Sequence, residues 1–314
     1  MRKATETVRG VPLDRIREMF QAPGRRVRWG PTEVSFLAPW GQTRVMVQPP
    51  SGPSLDATSL GAVVRVRATL PVPGMVLGDE KLMRINGRAA LGTVVRRGGQ
   101  YAVESRLTTT AGHNPWMHYL ALIQAAGLFS TAAITGDEID VPDDAPYWPG
   151  DELPAIVEDL SRVCCCNGDR DGFTAEIVLR PGPVTAMQGS IATALIRLEP
   201  NMRHPALGNG LHARIEMPHQ FHREERLADV IACLNEWDLE GEDLPPHFGA
   251  WCEGTVSNPC YTLFLPAYIH QPGLTRNLVT WLHARTLLAD GYLLAHGVRD
   301  DVISVGRGTT MKRS

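Results

Sequence analysis

The sequence predicts an α+β protein built from two similar tandem domains, and three observations carry that expectation. The chain has 314 residues, about two domains at the usual ~100 to 200 residues each. Short runs of period two, separated by Gly and Pro turns, alternate with a few segments of helical period. The order of these elements before residue 137 recurs after residue 152.

The first domain, residues 1–136, opens with Pro12 in the first turn of a short helix that carries Leu13, Ile16 and Phe20 on one face and stops at Pro23-Gly24. Strands follow around 27–29, 33–37 and 44–48, punctuated by Gly30-Pro31 and Trp40-Gly41. In 62–70, Val64, Val66 and Ala68 alternate with Arg65 and Arg67, the period of a sheet with one wet face, which assigns both arginines to solvent. A short helix over 79–86 ends at Gly87. Strands 91–97 and 101–108 flank Gly98-Gly99, a strong hairpin signal. Asn114-Pro115-Trp116 then caps and opens an apolar helix reaching Phe129.

The acidic, proline-bearing run 137–152 has no helical or strand period and reads as a linker. In the second domain, 153–296, Pro154 opens a helix bearing Ile156, Leu160 and Val163, and strands lie near 173–179, 191–198 and 212–216. Leu227, Val230, Ile231, Leu234 and Trp237 then follow the i, i+3, i+4, i+7 pattern of a core-facing stripe. A hairpin spans 247–252 and 260–265, and a final helix after Pro272 turns Leu274, Leu278, Trp281, Leu282 and Leu288 inward. Matching Pro12 with Pro154 and Pro115 with Pro272 gives offsets of roughly 142 and 157 residues, too long for a solenoid repeat and right for duplication of one domain. Residues 297–314 lose their period and are expected to fray as a flexible tail.

The run Leu234-Asn-Glu-Trp237, then Phe248-Gly-Ala-Trp251, then Tyr261-Thr-Leu-Phe-Leu265 and the helix through Trp281 resembles the YbjN-like proteins, which look like the type III secretion chaperone fold. The resemblance is strongest over residues 228–292 and faint over 1–136, where the middle helix carries Arg84-Ile-Asn-Gly87 in place of a Trp-bearing motif. It implies an α-βββ-α-ββ-α order in each domain and antiparallel sheets packed by helices. It also implies a chain with no active site, working as a chaperone-like or a sensory and stress-regulatory protein. Two copies in one chain look like a covalent version of the dimer such chaperones form.

Bulk properties narrow the field further. A net charge of -3 and a pI near 6.4 give no global attraction to nucleic acid or an anionic membrane. Nowhere does the sequence approach the ~20 apolar residues of a spanning helix, and its start lacks the apolar core of a signal peptide. A cytoplasmic location is expected. Six cysteines, three of them adjacent as Cys164-Cys165-Cys166, do not form a disulfide framework and suit a reducing compartment.

No phosphate-cradling glycine motif and no G-x-S-x-G frame is present, so nucleotide binding and α/β-type serine hydrolysis find no support. His247 with Cys252 or Cys260 has the makings of a thiolate nucleophile and its base, but Cys252 alternates with Phe248 and Ala250 as a buried small hydrophobe does. His219 and His222, with Glu224 and Glu225 beside them, form the best metal-ligand cluster, at a loop-to-helix junction where polar residues are common anyway. The expectation is therefore no catalytic residue, no cofactor and no metal. The rival is a small hydrolase or metalloenzyme using the His219 to Glu225 cluster or the His247 and Cys252 pair.

Trp251, Phe248, Trp237 and Trp281 are the candidate partner-binding residues, since Trp is enriched in interface hot spots. Apolar stripes draw Trp237 and Trp281 toward the core, whereas Trp251 alternates out of phase with its neighbours and is expected on the outer face of its hairpin. The partner is another protein or a self-interface, as a homodimer or an intrachain pseudo-dimer.

Overall fold

Alternating side chains and tight turns close the chain into two six-stranded antiparallel sheets. The structure is a computed structural model, and it describes residues 7–8, 11–12, 27–29, 33–38, 41–48, 63–69, 76–88, 92–108, 147–162, 164–179, 192–204, 208–219, 221, 223–241, 244–267, 270 and 272–296. A two-residue ladder of β1 (Thr7–Val8) and β2 (Val11–Pro12) comes first. The first sheet is built from β3 (Val27–Trp29), β4 (Glu33–Ala38), β5 (Gly41–Gln48), β6 (Val63–Thr69), β7 (Thr93–Arg97) and β8 (Gln100–Thr108). Helix α1 (Asp79–Asn86) lies between β6 and β7. Gly98 and Gly99, at φ of 57° and 81°, make the β7–β8 turn in the left-handed region where side chains are disfavoured.

The second sheet starts from α2 (Leu153–Leu160) and contains β9 (Cys165–Gly168), β10 (Phe173–Val178), β11 (Thr193–His204), β12 (Gly208–Glu216), β13 (Ala250–Glu253) and β14 (Pro259–Pro266). Helix α3 (Glu224–Glu240) separates β12 from β13, and α4 (Leu274–Ala295) ends the described chain. The strand orders are β3-β4-β5-β6-β8-β7 and β9-β10-β11-β12-β14-β13. Four strands in succession, then the last, then the penultimate at the edge: the order is the same in both sheets, with the middle helix inserted at the same point.

Four strands, not three, therefore precede each middle helix. The extra strand of the second sheet, β9, contains two residues of the cysteine run and pairs with β10 from Cys165 to Gly168. Pro12, expected to open a helix, instead sits in β2 opposite Thr7. The expected helices over 13–20 and 114–129, the tail 297–314 and residues 137–146 of the linker lie outside the described residues. The end of the linker is packed: Trp148 is buried edge-on against His270, and its backbone N–H donates to Asn201 Oδ1.

Much of the described core lies on one face of the second sheet, where Phe173, Ala175 and Ile177 of β10 alternate inward with Ala194, Ile196 and Leu198 of β11. Leu153 and Ile156 of α2 and Leu278, Leu282 and Leu293 of α4 cover this face from the amphipathic sides of their helices. Leu288, expected inward, is 41% exposed.

Both middle helices use an asparagine in the same way. Asn86 of α1 donates Nδ2 to Val94 O (3.2 Å) and accepts from Val94 N–H (2.7 Å). Asn235 of α3 donates Nδ2 to Trp251 O (2.9 Å) and accepts from Trp251 N–H (2.8 Å). Each side-chain amide thus continues a ladder that the edge strand β7 or β13 leaves open. Helix α1 packs on both α3 and β13, joining the two sheets through their middle helices.

Candidate functional site

Among the described residues, the densest cluster of buried charge lies where the two sheets meet. Four strands and two helices supply it: Thr93 from β7, Arg106 from β8, Asp238 from the last turn of α3, Trp251 from β13, Tyr261 from β14 and Arg285 from α4. His247 joins them from the segment before β13. All are 1% exposed or less. Asp238 is the centre. Its carboxylate accepts from Arg285 Nε (2.7 Å) and Nη2 (3.0 Å) and from the Trp251 indole N–H (3.1 Å), and it lies 3.0 Å from His247 Nδ1. Arg285 also donates to the Pro245 and Pro246 carbonyls and lies 4.4 Å over the Tyr261 ring.

Arg106 reaches across from the first sheet. It donates Nε to Asp238 O (3.2 Å), Nη1 to Leu244 O (3.1 Å) and Nη2 to Pro245 O (2.7 Å). Its backbone and that of His247 exchange two hydrogen bonds of 2.7 Å. Arg65 of β6 donates to the Leu239 and Glu240 carbonyls at 2.6 and 2.9 Å. Carbonyls at a helix C-terminus have no partner within the helix, and cations are favoured there. Two arginines of the first sheet thus hold the end of α3. Arg65 and Arg67, assigned to solvent by strand period, are half-buried beneath that helix, and Arg67 pairs with Glu104.

Protonation follows from burial and charge. Burial penalises the Asp238 carboxylate, but Arg285 and His247 hold it well below the usual range. Burial lowers His247 below the ordinary imidazole value against the pull of Asp238, so the ring is neutral at pH 7. Burial brings Arg106 down to about 10, which leaves it charged. It also pushes the Tyr261 phenol up to about 12.

His247 Nε2 lies 2.7 Å from Thr93 Oγ1, so Thr93, His247 and Asp238 stand in line as hydroxyl, imidazole and carboxylate. That is the order a nucleophile, its base and an orienting acid take. Thr93 Oγ1 also donates to Gly249 O at 2.9 Å, and neither Thr93 nor His247 is exposed to solvent. Two clefts of about 180 and 260 Å³ border the joint, and none of these three residues lines them. Among the described residues the hydroxyl and imidazole are enclosed, and the line-up binds one half to the other.

The sequence-derived candidates are distributed differently from expectation. Trp251 is fully buried and Phe248 is 5% exposed, so the outward surface expected at Trp251 is absent. Trp251 packs on the Asp238 side of β13. The next residue, Cys252, faces α1, with Gly87 against it. Both faces of β13 are covered, which defeats a period-two reading. Trp237 and Trp281 are half-buried, stacked on Tyr292 and set edge-on to Phe248. His247 and Cys252 have separate neighbours: Cys252 stands opposite Cys260 in the ladder, and a hydrogen bond with that free thiol together with burial raises it well above the ordinary thiol range. A protonated thiol is a poor nucleophile.

His219 is buried, while His222 lies outside the described residues. Among the described residues no group of three or more His, Cys, Asp or Glu is placed to hold a metal ion. No described helix is long and apolar enough to cross a membrane. Arg106, Asp238 and Arg285 were missed from sequence because their partners are remote and a lone charge carries no periodic signal. The asparagines had one: Ile85-Asn86 and Leu234-Asn235 occupy matching places in the middle helices. No protein-family model, curated protein or solved structure matches the chain.

Proposed function

We propose that the chain is a non-catalytic protein-binding module, chaperone-like or regulatory, made of two tandem units of type III secretion chaperone-like topology and working in the cytoplasm. The observation that carries this reading is the repeated strand order, with both middle helices meeting at one joint. An arrangement of that kind is what a homodimer becomes when its subunits are fused. The groups suited to chemistry support it too, because Thr93, His247 and Asp238 are engaged in joining the halves. Six free thiols fit a reducing compartment. Of the candidate tryptophans, Trp237 and Trp281 keep half-buried edges for a partner to meet.

The test uses the full chain as bait in extract of its native organism. The expected result is a stoichiometric protein partner with a segment that resists protease only while bound. Turnover of small ester or phosphoester substrates that disappears in Thr93→Val would overturn the proposal in favour of a hydrolase.

A further inference from the structure

Strand β13 lies at the edge of the second sheet and is held from both sides. On its open side Asn235 takes both the N–H and the carbonyl of Trp251. Those groups therefore point away from β14, and Trp251 and Tyr261 face each other as a non-hydrogen-bonded pair. Pairs alternate along an antiparallel ladder, which makes the next one, Cys252 opposite Cys260, a hydrogen-bonded pair. Gly254 N–H, donating to Asn258 O at 2.7 Å two residues further on, keeps the same phase. Cα atoms of such a pair are about 5.5 Å apart, and disulfides span about 4.4 to 6.8 Å, most often 5.5 to 6 Å. The two side chains share a face, and the thiols are hydrogen-bonded to each other. Both are free, and both are buried at 3% and 5% exposure.

Packing alone does not call for sulfur at this place. Counting from the two asparagine grips, Val94 of the first sheet answers to Trp251 of the second. Val95 and Ala102, opposed in the β7–β8 ladder, then answer to Cys252 and Cys260. An aliphatic pair fills the position in one sheet, and a thiol pair fills it in the other.

We infer that Cys252 and Cys260 form a reversible redox staple, in which oxidation by a peroxide joins edge strand β13 covalently to β14 beside the joint between the halves. One thiol attacks the peroxide and becomes a sulfenic acid; its proton goes to the departing oxygen, which leaves as an alcohol, or as water from hydrogen peroxide. The second sulfur attacks the sulfenic sulfur, the S–S bond forms, and hydroxide departs with the second thiol's proton as water. The two thiols lose two electrons, and the O–O bond takes them up. A small dithiol reverses the change by exchange. Burial and the shared hydrogen bond hold Cys252 protonated, so the first step waits on local opening of the edge strand. The staple therefore answers sustained oxidation and not a brief pulse. Its effect is mechanical, and it does not depend on the protein-binding reading. Strand β13 carries Trp251, which bonds Asn235 and Asp238, so fixing β13 to β14 fixes that side of the joint. Closing a loop of about nine residues lowers the unfolding constant roughly seventyfold through chain entropy.

Prolonged treatment of the full chain with hydrogen peroxide, followed by unreduced peptide mapping with trypsin and a glutamate-specific protease, tests this. Glu253 lies between the two cysteines, so the staple survives cleavage there as two joined fragments, two hydrogens lighter than their sum. The expected product links residues 243–253 to 254–276 of the same chain and is undone by dithiothreitol. Urea unfolding of the oxidised protein should show the roughly seventyfold smaller constant. Cys260→Ala, which installs the residue at the matching place of the first sheet, should lose the link and gain nothing from peroxide. Cys252→Val, the other matching residue, gives the same reading if Cys260→Ala does not fold. Cys165→Ser should keep both the link and the gain. The inference fails if the pair ends as sulfinic acids or joined to other cysteines, if linkage leaves the unfolding constant unchanged, or if the folded variant gains as much from peroxide as the parent. The map of the parent protein decides the first of these without any variant.

Discussion

Replacing Arg106 with Met tests whether the two halves fold as one unit. Arg106 belongs to the first sheet, yet all three of its side-chain bonds end on the second half, at the carbonyls of Asp238, Leu244 and Pro245. Hydrogen bonds to a charged group contribute about 1.5 to 3 kcal/mol each, but their sum is not the expected loss, because Met also relieves the cost of burying a guanidinium. Breaking a buried ionic network from one side typically costs about 3 to 5 kcal/mol. Against a total stability of about 5 to 15 kcal/mol, that is a large fraction. Urea unfolding read by tryptophan fluorescence, with hydrogen exchange at the last turn of α3, measures it. A loss of about 3 kcal/mol or more is expected, with earlier exchange at Asp238 to Glu240 although the substitution lies 132 residues away. A loss below about 1 kcal/mol, or one confined to the first sheet, would refute the reasoning.

Two further outcomes follow from burial. Burial pushes His204 down to about 4, so on acidification the unfolded chain takes up its proton first, near the ordinary imidazole value. Stability is therefore whole above pH 6.5 and falls as the pH drops toward 4, by about 3 kcal/mol for this residue. His247 is shifted the same way. Calorimetry across that range should show the acid limb flatten in His204→Gln, and an unchanged limb would rule out the assignment. Among the thiols, exposed Cys165 should alkylate quickly in the native protein, while buried Cys252 and Cys260 should react at least about a hundredfold more slowly until the chain unfolds. Mass spectrometry that found all three labelled together would contradict the packing of β13 on β14.

What the sequence disclosed, and what it hid, divides along the range of the interactions. Helix α1 is legible to the residue, since Asp79 and Glu80 suit a first turn and Gly87 a stop. The β7–β8 hairpin is equally plain, because Gly98-Gly99 has few other uses. Strand period also placed β6, but its inference for Arg65 and Arg67 failed. Alternation says which residues share a face, and nothing about what lies on it. Here the end of α3 lies there, with Arg65 bonded to a carbonyl 174 residues away. Trp251 failed for the related reason that β13 is covered on both faces. The first sheet's middle helix looked degenerate because it lacks a tryptophan, whereas the feature it shares with α3 is the asparagine that grips the next strand.

That shared grip bears on how two sheets of the same strand order are kept together in one chain. A homodimer must present the same side chain on both sides of its axis, but two sheets within one chain are free of that constraint. Counting by register from Arg65, the counterpart of Arg106 in the second sheet is Phe264, which stands opposite His212 as Arg106 stands opposite Arg65. Phe264 packs on His204, with ring centroids 4.9 Å apart. His204 in turn meets the backbone of Arg88, just past the end of α1. Each middle helix is therefore met at its C-terminal end by polar side chains from the opposite half: α3 by two permanent cations, α1 by one neutral imidazole. Because arginine keeps its charge at any physiological pH and histidine does not, acid should loosen the α1 end of the joint before the α3 end. The pH dependence of the joint is thus a consequence of its two sides carrying different residues at matching register positions.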